Sequence, residues 1–148
     1  MLQNHVMYSF VNQNYKFTGR DKKECLEMLE KILKIAEFVR KNGFLAVDDK
    51  IETVENPYLK EALTHVLNNI EPGRIDDLLA KHIFFENHTS QEILELLIIK
   101  EGVSLVIQGS KTQDILLELN PFFGKEFEND TQKIFDNVHA LGDKIDSI

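Results

Sequence analysis

The chain has no tryptophan, a single cysteine, three prolines, seven glycines and no long apolar run. Each scarcity excludes something. One cysteine, Cys25, cannot close an internal disulfide, which suits a reducing compartment. Alone and without a sequence-local base, it reads as a small buried apolar side chain rather than a nucleophile. The longest apolar stretch, Leu96-Leu-Ile-Ile99, is four residues, against the roughly 20 that a bilayer-spanning helix needs. The first residues, Met1-Leu-Gln-Asn-His-Val-Met-Tyr8, have neither the basic nor the apolar region of a secretory signal, so export is not expected. Cations are scarce as well: 17 Lys and Arg face 25 Asp and Glu, a net charge of −8. That balance speaks against nucleic acid and against an anionic membrane surface, both of which demand clustered basic groups. It favours a protein partner that carries basic patches of its own.

What is present suffices for an ordinary globular domain. A chain of 148 residues, 43% hydrophobic with ten Phe, can bury about 70% of its unfolded surface without disulfides or metal. Residues 1–20 are polar and irregular, with Tyr8, Phe10, Val11, Tyr15 and Phe17 among Asn and Gln, and Thr18-Gly19 breaks the chain. They read as an N-terminal arm. From residue 21 the apolar positions recur at three-to-four spacing. Asp21 is placed as an N-cap with Glu24 in capping-box register, followed by Leu26, Leu29, Leu33, Ala36 and Phe38 at helical spacing, with Ile32, Ile35 and Val39 widening the apolar face. Gly43 allows a bend or a close helix contact, and Phe44, Leu45, Val47, Ile51 and Val54 suggest a second helical piece. Asn56-Pro57 combines a cap with Pro at the first helical position, Asn69 suits the left-handed residue that closes a helix, and Pro72 opens the next one. A break over residues 84–90 precedes Thr89 or Ser90 as cap of a long helix that ends near Gly109. A short helix up to Pro121 and an amphipathic one from about Lys125 complete the chain. No sustained two-residue alternation and no hairpin turn is found. The expected fold is all-α, a compact bundle of about six to seven helices over residues 21–148.

No catalytic arrangement emerges. Gly109-Ser-Lys-Thr112 ends like a phosphate-binding loop but lacks the Gly before Lys111, and Ser104 stands where the first Gly belongs; a turn between helices accounts for it better. His82 and His88, six apart across a break, lack the spacing of a helical metal pair. His82 and His65 read as partly buried or surface helix residues. Asp48-Asp49 and Asp76-Asp77 are neighbours that diverge by about 100° on a helix, and read as solvated or partner-facing. No cofactor is expected, and ATP or Zn²⁺ should raise the melting temperature very little.

Two blocks resemble the cytoplasmic part of the flagellar stator family MotA. The first runs Arg40-Lys-Asn-Gly43 to Asp48, then Asn56-Pro-Tyr-Leu59 and Glu71-Pro-Gly-Arg-Ile-Asp-Asp-Leu-Leu79. The second is Lys100-Glu-Gly-Val-Ser-Leu-Val-Ile-Gln-Gly109. Together they cover roughly residues 30–83 and 95–124. The family carries membrane helices before the first block and between the two, whereas here residues 1–20 stand in place of the former and residues 84–94 bridge the latter. The resemblance therefore implies a soluble, cytoplasmic, non-enzymatic domain that neither conducts ions nor generates torque. It also implies a surface that in the family lies against the rotor protein FliG, with Arg40 and Asp48 at the charged positions. The implied partner is a rotor or stator component bearing basic and acidic patches. The alternative is a helical scaffold or adaptor unrelated to motility.

Overall fold

Helix-forming periodicity dominates the computed structural model, which describes residues 2–142. Among them are seven α-helices, three 3-10 segments and no strand. The helices are α1 (Leu2–Asn14), α2 (Gly19–Asn42), α3 (Pro57–Leu67), α4 (Pro72–Phe85), α5 (Ser90–Ile107), α6 (Thr112–Leu119) and α7 (Glu128–Leu141). The all-α class holds; with the ten-residue 3-10 helix Phe44–Thr53 added to the seven α-helices, the count lies slightly above the expected six to seven.

Local chemistry explains most boundaries. Asn56 caps α3, its side chain accepting from the N–H groups of Tyr58 and Leu59, and Pro57 fills the first helical position. Thr89 and Glu92 form a reciprocal capping box at the start of α5. Asn69 takes the left-handed conformation, φ 59°. At α2 the cap lies three residues earlier than the sequence suggested: Thr18 accepts from the Asp21 N–H at 3.1 Å, and the Asp21 carboxylate accepts from the Thr18 N–H at 3.0 Å. Asp21 is thus the third residue of the box and Thr18 its cap. Gly43, at φ 80°, turns the chain out of α2, and a side chain added there would meet open space. It serves a bend, not a close contact. The piece that follows is a long 3-10 helix, Phe44–Thr53. Its apolar residues pair at three-residue steps, Phe44 with Val47 and Ile51 with Val54, as a three-per-turn helix requires.

The N-terminal segment departs most from expectation. Residues read as irregular form α1, which has no Asp, Glu, Lys or Arg. Its Asn and Gln are indifferent helix formers. Tertiary packing supplies what propensity lacks: Met7 and Val11, four apart on one face, are buried with Ala80 and Ile83 of α4 and Ile93, Leu96 and Leu97 of α5.

Helix α5 lies at the centre and buries apolar residues on two sides, as a helix between two cores must. One side, with Leu94, Ile98, Ile99, Val103 and Val106, joins the main core built on α2, α3, α6 and α7; the other packs the smaller core under α1. Four residues, 86–89, connect α4 to α5, so the two blocks pack directly. They approach closely at Gly102, where an added Cβ would fall 2.8 Å from Ile32 Cγ2 on α2. One charge is enclosed: Lys100, 5% exposed, donates to Asp76 Oδ1 at 2.9 Å and to Asn4 Oδ1 at 3.3 Å. Asp76 therefore ties α4 to α5 and is not the solvated or partner-facing carboxylate expected. No described helix is long and apolar enough to cross a membrane.

Candidate interaction site

The α2 corner gathers the charged residues singled out by the sequence. Arg40 and Lys41 lie in the last turn of α2, where cations favour the negative end of the helix dipole. Beyond Gly43 the 3-10 helix carries Leu45, 82% exposed, with Asp48 and Asp49 exposed on the same segment. Arg40 is exposed too, and among the described residues the side chain of neither Arg40 nor Asp48 makes a hydrogen bond or ion pair. An acid–base contact on this segment, Glu52 with Lys60 at 3.2 Å, ties the 3-10 helix to α3. The bend thus presents an unneutralised cation, an unneutralised anion and a bare leucine on one short length of chain. Such a combination suits docking against another protein: apolar contact supplies affinity and the charges supply orientation.

A second cluster joins α3, α4 and the α4–α5 connection. His82 lies between two carboxylates, its Nε2 2.8 Å from Glu61 and its Nδ1 2.7 Å from Glu86. The Tyr58 hydroxyl donates to Glu86 at 2.8 Å, and His88 Nε2 donates to the His82 carbonyl at 3.0 Å. The Tyr58 ring also stands edge-on to both imidazoles. With a carboxylate at each ring nitrogen, only the protonated imidazole donates to both. Burial disfavours that charge, but the hydrogen bonds and charges of Glu86 and Glu61 outweigh it, and the His82 pKa is raised. The hydrogen bonds from His82 and Tyr58 lower that of Glu86. Burial, then the Glu86 contact, pushes the Tyr58 hydroxyl up to about 12. The sequence alone suggests His82 as a partly buried or surface helix residue and, with His88, as a metal pair of the wrong spacing. Its partners, at distances of 21 and four residues, were missed; the i, i+4 spacing of His82 and Glu86 was the available signal.

The sign of the pH dependence follows. A His whose folded-state pKa is raised stabilises fully below its unfolded value, about 6.5, and the contribution is lost as pH rises through the folded value. Glu86 acts oppositely, contributing above the ordinary carboxylate range and losing effect as pH falls through its depressed value. The clasp should be strongest between about pH 4.5 and 6.5. Urea melts at pH 5.5, 7 and 8.5 should show a decline that His82→Gln removes. An imidazole titration in the folded chain at or below that of the unfolded chain would contradict the geometry.

The remaining motifs resolve structurally. Gly109-Ser-Lys-Thr112 is the turn between α5 and α6, and the Thr112 hydroxyl donates to Glu37 on α2 at 2.8 Å. Cys25 is fully buried, its Sγ donating to the Gln91 carbonyl at 3.5 Å; burial, then nearby carboxylates, pushes the thiol up to about 12. This is the inert thiol expected of a core position. Among the described residues no group of three or more His, Cys, Asp and Glu is arranged to hold a metal ion.

Compared with known proteins, the chain is similar to Lon protease from Bacillus thuringiensis (strain Al Hakam), with 28% identity over 108 residues. That stretch is 73% of this chain but 11% of the relative, so the chain spans only about a tenth of the protein it matches. No family model matches, and no solved structure matches.

Proposed function

We propose that this chain is a soluble, cytoplasmic, non-catalytic helical domain that docks onto a protein partner through the α2 corner, the partner being a rotor or stator component of a flagellar motor such as FliG. The observation that carries the reading is the corner itself: in sequence, Arg40 and Asp48 stand on either side of the exposed Leu45, both exposed and, among the described residues, without a side-chain partner. The MotA-like pattern of the two blocks supplies the class of partner. A second reading, a helical adaptor unrelated to motility, draws support from the 108-residue similarity to Lon protease.

Both charges lie at a rim, where an ion pair is worth about 0–1 kcal/mol. Alanine at Arg40 or Asp48 should therefore leave folding intact and weaken association slightly, more at low salt. Arg40→Glu and Asp48→Lys should weaken it further, since like charges at a contact repel. Titration against the purified FliG C-terminal domain decides between the readings. Unchanged affinity in both reversed variants, or no binding by the parent chain, would remove the rotor reading and leave the adaptor.

A further inference from the structure

A groove of about 620 Å³ lies between α1, the start of α2 and the first half of α5, within the range of roughly 300–1,000 Å³ usual for small-molecule sites. Leu94 and Leu97 of α5 and Phe122 line it with apolar surface, and Tyr15, Lys16 and Lys22 supply the polar groups. Lys16 is exposed and, among the described residues, makes no hydrogen bond or ion pair. Lys22 is largely covered, its side chain 25% exposed, and its acid contact is a long one, 3.8 Å to a mostly exposed Glu126. In a chain with eight more acidic than basic groups (25 against 17), two ammonium groups beside an apolar floor invert the local field. Tyr8, about 10 Å back along α1 from Tyr15, also lines the groove, its hydroxyl 3.5 Å from Glu101. The charged residues that line the groove are thus both cations, Lys16 and Lys22. Lys22 and Arg40 are 18 residues apart on α2, about 27 Å of helix, so the groove is separate from the corner.

We propose that this groove binds a small amphipathic carboxylate, its head between Lys16 and Lys22 and its apolar body along Leu94, Leu97 and Phe122. The lysines set the polarity of the ligand: an alkyl ammonium of the same length gains the floor but meets like charge at the head.

The test is an amide NMR titration of the full chain with decanoate below its micelle concentration, with decylammonium as the charge-reversed probe. Decanoate should give saturable shifts concentrated at residues 15–17, 22, 94–97 and 122, and decylammonium should bind at least about ten-fold more weakly, the effect of one charge-assisted contact. Lys16→Glu with Lys22→Glu should weaken decanoate by a similar factor. Asn12→Trp, at an exposed rim position, should block the groove while circular dichroism stays that of the parent. Shifts that do not saturate, that fall elsewhere, that are equal for the two probes, or that persist unchanged in the lysine or tryptophan variants would each overturn the assignment.

Discussion

Replacing Gly102 by valine is expected to lower the melting temperature by about 10 °C, corresponding to roughly 3 kcal/mol for a chain of this size. The added Cβ would stand 2.8, 3.0 and 3.1 Å from Cγ2, Cδ1 and Cγ1 of Ile32. Ile32 is fully buried, and its β-branched side chain has little rotamer freedom in a helix. It cannot swing aside without displacing the main core. Alanine adds the same Cβ without the further methyls, and gains about 1 kcal/mol of helix propensity over glycine, so Gly102→Ala should cost less than valine. In the alanine background, Ile32→Ala should be less harmful than in the parent, a coupling of about 0.5–3 kcal/mol in a double-mutant cycle. Thermal melts measure all of this. A valine variant that melts within two or three degrees of the parent would mean that α2 and α5 slide apart freely, contrary to the packing described.

The second large effect is asymmetric. Asp76→Ala should destabilise by about 2–3 kcal/mol, whereas Lys100→Met should cost under about 1 kcal/mol. Lys100 is 5% exposed, while the Asp76 side chain retains 32% exposure. Without Asp76 the buried ammonium keeps, among the described residues, the Asn4 oxygen and the half-buried Glu101 nearby. Without Lys100 the carboxylate can turn toward water, and methionine fills the vacated space. Asp76→Ala combined with Lys100→Met should recover much of the loss caused by Asp76→Ala alone, because the uncompensated charge is then gone. Urea unfolding at pH 7 gives the three values. Equal losses for both single variants would indicate that packing, not the buried charge, governs the site.

The candidate corner was legible in part. Arg at the end of an apolar helix, Gly three residues on and Asp beyond a bend are local features, and both charges are exposed as a polar pair near a helix end should be. Leu45 was counted there as part of an apolar helical face and proves bare. The 3-10 path explains this. With three residues per turn, Phe44 and Val47 share a face that joins the main core, and Leu45 is rotated away from them. The clasp at His82 was illegible as a cluster, since its second carboxylate comes from a different helix.

The sequence by itself determined the helical class and most helix ends, because both rest on interactions within about four residues. Asn56 before Pro57, Thr89 with Glu92, and Asn69 at positive φ depend only on neighbours. It also determined that Cys25 would be a core position. Tertiary structure alone decided that residues 2–14 are helical, since Met7 and Val11 find their partners on α4 and α5, about 70 to 90 residues away. Likewise it alone placed Asn4 against Lys100, Thr112 against Glu37 and Gly102 against Ile32. Desolvating a charge or omitting a Cβ is favourable only when a particular distant group occupies the space beside it, and no local pattern encodes that neighbour.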